Sequence, residues 1–262
     1  MNTLRIVVAV CTATLLFACR PQVKEYTFVQ YNVGVFDKYD ESSVGAVADA
    51  VRELGADAVS LNELDSCALR TGAVDQIAEF ASAMGDWNRV YASAMPFNGG
   101  AYGVGVVSSP ELEILRTDKI RLPRFGGYEP RAVAVVEYED FVFASTHLDL
   151  VKESQLLQVE VINHYLDSLY AGSGKPVFLG GDFNCMPDGE TVSLMKKSWT
   201  QLTPDSFSYP SDAPRKCIDY IFVRSRGRKV SVVSADIPRD LQTADLSTAS
   251  DHLPVVLTVT IE

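Results

Sequence analysis

The chain is built from short runs of β-branched and aromatic residues that stop on a polar side chain. Tyr26-Thr27-Phe28-Val29-Gln30-Tyr31 delivers Asn32, Ala58-Val59-Ser60-Leu61-Asn62 delivers Glu63, and Phe141-Val142-Phe143-Ala144-Ser145-Thr146 delivers His147. Runs of this length and composition read as strands. Three Asp-centred clusters sit at the rims of similar runs: Gly180-Gly181-Asp182-Phe183-Asn184, Ile218-Asp219-Tyr220-Ile221-Phe222 and Ser250-Asp251-His252-Leu253-Pro254-Val255. A strand end is where the chain turns over the surface and can present a side chain to a ligand. Acids, amides and imidazoles gathered at so many strand ends read as a catalytic site. Of the three histidines, only His164 falls outside this set.

Helical spacing appears in both halves of the chain. Val44, Val47, Ala48, Val51 and Leu54 predict an amphipathic helix over residues 42–54, and a weaker one is expected over 75–84. A longer helix over 153–170 would carry Leu157, Val161, Ile162, Tyr165, Leu166 and Leu169 on its apolar stripe, leaving His164 solvated; a fourth covers about 188–197. Further strands are predicted at 89–94, 103–107, 112–115, 133–138, 141–145 and 177–179, with three more closing the chain. Glu139-Asp140 is short enough to turn a hairpin. Helices in each half, separated by strands with tight turns, suit an α/β fold of two packed sheets with helices outside. The 262 residues contain no linker-like stretch, so one domain is expected.

Arg5 ahead of the apolar stretch 6–18 reads as a secretory signal, and 13 residues are too few to span a bilayer as a helix. The stretch ends in Leu16-Phe17-Ala18-Cys19, which resembles the lipobox of bacterial lipoproteins, where Cys19 would become the acylated N-terminus; an ordinary signal peptide with an incidental cysteine is the alternative. The expected organisation is a leader at 1–18, a tether at 19–25 and the folded domain at 26–262, held at the bacterial cell envelope and facing outside the cytoplasm. Without the leader's Arg5, 22 basic residues face 34 acidic ones, a net charge of −12. That balance repels polyanions at long range and argues against a wide duplex-binding face, without excluding nucleic acid. Cys67, Cys185 and Cys217 remain, an odd number permitting at most one disulfide. Cys185 and Cys217 flank two of the Asp clusters and are expected near one another; each cysteine reads best as a small buried hydrophobe.

In chain order, Asn32, Glu63, His147, Asp182, Asn184, Asp219, Asp251 and His252 form a set that resembles the endonuclease/exonuclease/phosphatase superfamily, over about Tyr26 to Ile261. The resemblance implies a four-layer α/β/β/α sandwich with its site at one edge of the paired sheets. It implies Glu63 as the central Mg²⁺ ligand, Asn32 assisting at the same cation, and Asp251 touching that cation or a second. Asp182 would deprotonate the attacking water, Asn184 would donate to the phosphate, and His252 would be oriented by Asp219. His147 would contact the phosphate. A phosphoester repels hydroxide, so it needs such a set: a cation on its oxygens, an activated water and charge stabilisation. Hard oxygen donors without thiolates suit Mg²⁺ or Mn²⁺ and not Zn²⁺.

Asp182 and Asn184, two apart in an extended segment, would share one side. Adjacent Asp251 and His252 would point oppositely, so the carboxylate orienting His252 must come from elsewhere; Asp219 is expected, through pairing of strands 218–223 and 254–260. Tyr102, in Gly99-Gly100-Ala101-Tyr102-Gly103, and Arg131, in Glu129-Pro130-Arg131, are weaker candidates for the phosphate or for one another, and structural roles suit them equally. Met186 and Lys216-Cys217-Ile218-Asp219-Tyr220 depart from the inositol 5-phosphatase pattern and disfavour that branch. The expected protein is a monomeric Mg²⁺-dependent phosphoesterase acting on a phosphodiester or phosphomonoester, either a phospholipid or sphingolipid headgroup or nucleic acid. The alternative is a binding protein that kept the fold and lost catalysis, against which the intact residue set argues.

Overall fold

The computed structural model describes residues 23–38, 42–127 and 129–262; the expected leader, Cys19 and the first part of the tether lie outside them. The chain begins with β1 (Lys24–Asn32), α1 (Val44–Glu53), β2 (Ala58–Ser66), α2 (Gln76–Ala83), β3 (Asn88–Phe97) and β4 (Gly100–Ser108). It continues through β5 (Arg116–Leu122), β6 (Arg131–Glu137), β7 (Val142–His147), α3 (Lys152–Tyr170), β8 (Val177–Asp182), α4 (Glu190–Met195), β9 (Thr200–Gln201) and β10 (Asp219–Arg224). It closes with β11 (Val230–Asp236), α5 (Leu246–Ala249) and β12 (Val255–Ile261).

Two six-stranded mixed sheets result, ordered β11-β12-β1-β2-β4-β3 and β5-β6-β7-β8-β10-β9. The first packs on α1 and α2 through Val29, Tyr31, Val47, Val51, Leu61 and Phe80. The second packs on α3 and α4 through Val133, Leu148, Ile162, Leu166, Val192 and Met195. Between the sheets lie Phe28, Ala58, Phe143, Phe178, Ile221 and Leu257, with rings 4.6 to 5.0 Å apart around Phe28. These are the four layers expected of the α/β/β/α sandwich.

The layer between the sheets changes character along the strands. Phe28 is followed on the same face by Gln30 and Asn32, Ala58 by Ser60 and Asn62, Phe143 by Ser145 and His147, and Phe178 by Gly180 and Asp182, all sharing the two-residue period of a strand. An apolar base therefore grades into a polar seam. There, Ser60 Oγ donates to Gln30 Oε1 (2.6 Å) and lies 2.8 Å from Ser145 Oγ, while Asn62 Nδ2 donates to the Thr146 carbonyl (2.8 Å) in the opposite sheet. Gly180 permits the approach, since a Cβ there would lie 2.9 Å from Ser60 Cβ. Buried amides and hydroxyls so paired avoid the cost of an unmet donor or acceptor.

Several expectations are corrected. Residues 112–115 form no strand, and the strand is Arg116–Leu122, an edge whose polar sequence buries only Ile120 and Leu122 at alternate positions. β1 starts at Lys24, inside the expected tether, because Lys24 pairs with Ile261. The buried face of α3 is Ser154, Gln155, Gln158, Val159, Ile162, Leu166 and Tyr170, whereas Leu157 and Tyr165 are exposed. Its first turns bury amides because Gln155 donates to the Asp149 carbonyl and Gln158 to the Pro123 carbonyl, partners that spacing does not reveal. The strands at 218–223 and 254–260 do not pair: β10 lies in one sheet and β12 in the other.

Candidate active site

All the polar strand ends fall at one end of the sandwich. In the second sheet, His147, Asp182 and Asp219 stand side by side, because the register pairs His147 with Asp182 and Asp182 with Asp219. In the first, Asn32 neighbours Asn62. Glu63 is the extra residue of a β-bulge against β4, with φ 59°, and the bulge turns its side chain from the helical face to the site. His252 and Asp251 come from the loop before β12, which Ser250 fastens by donating to the Asn32 carbonyl (2.6 Å). Glu63, His147, Asp182, Asp251 and His252 line a cavity of about 390 Å³, together with Arg70, Met95, Phe97, Tyr209 and Lys216.

Asp182 is the focus of the geometry. Its Oδ1 accepts from the Asn184 backbone N–H (2.8 Å) and its Oδ2 from Asn32 Nδ2 (3.1 Å); His147 Nε2 and His252 Nε2 lie 3.7 and 3.8 Å from the same Oδ2. Burial, then the charge of Asp219, raise its pKa, which His252 opposes. Asn184 adopts φ 48°, so the expected extended segment is absent, and the turn closed on Asp182 Oδ1 brings both side chains to the cavity instead. The Asn184 carboxamide lies 2.9 Å from His147 Nε2.

His252 Nδ1 lies 2.9 Å from Asp219 Oδ2, the partnership expected, although it is made across the two sheets and not by strand pairing. Asp219 also accepts from Ser208 Oγ (2.5 Å) and Gln30 Nε2 (3.3 Å). Burial lowers the His252 pKa, but the charge and hydrogen bond of Asp219, helped by Asp182 and Asp251, outweigh it and raise the group above its ordinary value. Protonated His252 thus directs Nε2–H towards Asp182. His147 behaves oppositely: burial, then Arg131 and His252, hold it well below the ordinary range. The Arg131 guanidinium, 3.2 Å from Nδ1, and the Asn184 amide nitrogen, 2.9 Å from Nε2, can both only donate, so the neutral ring accepts from one of them and turns its single N–H towards the other. One imidazole is charged and the other neutral, at the same carboxylate.

Tyr102 and Arg131 both join the site. They are buried hydrogen-bond partners, Arg131 also pairs with Glu129 (3.1 Å), and among the described residues its buried Nε has no partner. Burial, then the Glu63 charge, raise the Tyr102 pKa, keeping its hydroxyl a donor.

The oxygen-rich corner consists of Glu63, Asn32 and Asp251. Asn32 Nδ2 donates to Glu63 Oε1 (3.0 Å), and Ser250 Oγ lies 3.4 Å from Asp251 Oδ1. Among the described residues no Lys or Arg pairs with either carboxylate, and the pKa of Glu63 is raised by burial, with Asp251 adding to it. Two neighbouring carboxylates with no Lys or Arg ion pair fit a hard divalent ion. Asp182, Asp219 and His252 also bring donor atoms within 4.8 Å of one another, but Asp219 and His252 are already spent on each other.

Sequence reasoning passed over Arg70. Its guanidinium forks onto fully buried Asp65 (2.7 and 2.9 Å) and lies 4.4 Å from the centre of the Phe97 ring, a fixed cation in the cavity wall. Opposite, Tyr209 packs on the His252 ring at 4.6 Å and carries Lys216 at 5.4 Å. The polar seam was equally missed, though polar residues at 30 and 32 and at 60 and 62 alternate on one face of otherwise apolar strands. Cys67, Cys185 and Cys217 are free, and Tyr220 Oη lies between the carbonyls of Cys185 (2.8 Å) and Cys217 (2.7 Å), with one proton to share.

No curated protein matches the sequence. Among solved structures, an endonuclease/exonuclease/phosphatase from Bacteroides vulgatus is similar, with TM-score 0.76 at 16% identity, over 91% of this chain and 100% of that one. A mannosyl-6-phosphatase from Bacteroides thetaiotaomicron gives 0.74 at 16%, over 89% and 99%. The human Nocturnin catalytic domain, with bound sulfate, gives 0.69 at 17%, over 91% and 95%. At such identities the likeness is one of fold. The model of the endonuclease/exonuclease/phosphatase family, however, matches residues 29–252, from the first strand through His252. The chain belongs to that family, whose members are metal-dependent phosphoric ester hydrolases.

Proposed function

We propose that the protein is a Mg²⁺- or Mn²⁺-dependent phosphoesterase that works outside the cytoplasm, anchored through Cys19, and cleaves a phosphodiester or phosphomonoester by in-line attack of water. The observation that carries this reading is the Asp182 carboxylate, flanked by a charged and a neutral imidazole whose states are fixed by Asp219 and Arg131. Asp182, with its raised pKa, accepts the proton of the attacking water. Asn184 and the neutral His147 orient phosphoryl oxygens through N–H donors, and Arg131 with Tyr102 adds positive charge and a hydroxyl on the same side. His252, charged through Asp219, stabilises negative charge developing on phosphorus. A divalent ion held by Glu63, Asn32 and Asp251 would neutralise the phosphate oxygens.

The fold of a mannosyl-6-phosphatase and the Arg70 and Lys216 walls of the cavity support a polar group esterified to the phosphate. The test is hydrolysis by the purified protein with Mg²⁺ or Mn²⁺, on bis-p-nitrophenyl phosphate, sugar phosphates, sphingomyelin, inositol phosphates, RNA and single- and double-stranded DNA. Turnover of at least one substrate, abolished in Asp182→Asn, is expected. Absence of turnover on all of them would leave the inactive binding protein as the better reading.

A further inference from the structure

We propose that the catalytic mouth faces away from the membrane carrying the protein, so that its substrates are water-soluble phosphoesters and not the headgroups of that bilayer. This rests on the reading of Cys19 as a lipid anchor. The direction of β1 carries the argument. Its nine residues run from Lys24, at one end of the sandwich, to Asn32, at the other. Eight steps at about 3.3 Å each put those residues roughly 26 Å apart.

Every side chain of the site lies at the Asn32 end: Asn32 itself touches Glu63 and Asp182, and Asp182 sits between both histidines. At the far end the chain is pinned. Lys24 Nζ contacts Asp140 (2.7 Å) and Glu139 (3.4 Å) in the turn between β6 and β7, Tyr26 Oη donates to Asp140 (2.7 Å), and the backbone of Lys24 pairs with Ile261. Slack therefore begins only before Lys24.

From Cys19 to Lys24 there are five steps, which even fully extended span no more than about 18 Å. With the mouth against the bilayer, Lys24 would stand at least about 26 Å above it, out of reach of the anchor. With the mouth-down orientation excluded, the short tether draws the Lys24 end to the bilayer, and in that orientation the cavity opens to solution.

The test uses the lipidated full-length protein in liposomes, with a nitroxide on the lipid headgroups that quenches fluorescence only at contact range. A dye on the exposed native Cys67, one residue beyond the site end of β2, reports the height of the mouth; half-buried Cys185 lies at the same end, so a dye there reports the same. A second protein carries the dye on Glu139→Cys, with Cys67 and Cys185 changed to Ala, and reports the base. Quenching several-fold stronger at Glu139→Cys than at Cys67 is expected. Inserting about twenty Gly/Ser residues after Cys19, which adds roughly 25 Å of r.m.s. reach, should raise quenching at Cys67. Equal or stronger quenching at Cys67 in the unmodified tether would overturn the orientation. Flotation of the wild type against Cys19→Ser tests the anchor alone, and because quenching requires no turnover, loss of the catalytic reading would leave this result standing.

Discussion

Replacing Asp219 by Asn removes a charge and little else. The amide can place its NH₂ where Oδ1 stood, facing the long Gln30 contact (3.3 Å), and keep its oxygen towards Ser208 and His252. Gln30 retains its 2.6 Å bond to Asn62, so the tautomer and position of His252 are preserved. What is lost is the difference between a charge-assisted and a neutral hydrogen bond, about 1–2 kcal/mol, or roughly 5- to 30-fold in kcat. His252→Ala removes the group itself and should cost on the order of a thousandfold. The pH–rate profile separates the roles. In the wild type the Asp219 charge raises the pKa of His252 against burial, which alone would lower it. In Asp219→Asn only Asp182 and Asp251 remain to oppose burial, so the alkaline limb of kcat should move to lower pH. The double variant should be no slower than His252→Ala alone, because partners acting as one unit are not additive. Losses that multiply, or an alkaline limb that stays in place, would show that Asp219 does not act through His252.

Chelation should abolish hydrolysis, with Mg²⁺ or Mn²⁺ restoring it, and Glu63→Gln should raise the metal concentration for half-maximal activity about tenfold or more; full activity in excess EDTA would refute the ligand assignment. Arg70→Ala should raise KM about tenfold with little change in kcat, because Arg70 lines the cavity without touching Asp182 or His252; a fall in kcat alone would place it in the chemistry. At the base, burial raises the Asp140 pKa but Lys24, Tyr26 and Arg228 outweigh it and hold the carboxylate at about 2. Asp140→Asn should therefore lose about 1–2 kcal/mol of stability at neutral pH, a deficit fully present above the ordinary carboxylate range and vanishing as pH falls through about 2. Urea melts at pH 7 and pH 2 would show it, and a deficit unchanged between the two would sink it.

The sequence alone determined the inventory of the candidate site. Polar side chains that end apolar runs have few uses other than presentation at a rim, so Asn32, Glu63, His147, Asp182, Asn184, Asp219, Asp251 and His252 were legible as a set, as were the strands that carry them. Two sheets with outer helices also followed from local periodicity, since the two-residue and helical repeats are properties of single segments. Tertiary structure decided what depends on residues far apart in the chain. The β5 edge hides its strand character in a polar sequence, and α3 buries amides whose partners are loop carbonyls. Asp219 reaches His252 although their strands lie in opposite sheets. The states of the two histidines depend on which charge each meets, Asp219 or Arg131, and Arg70 became part of the cavity only once Asp65 and Phe97 held it there. Such pairings are set by packing between sheets, and no single segment encodes them.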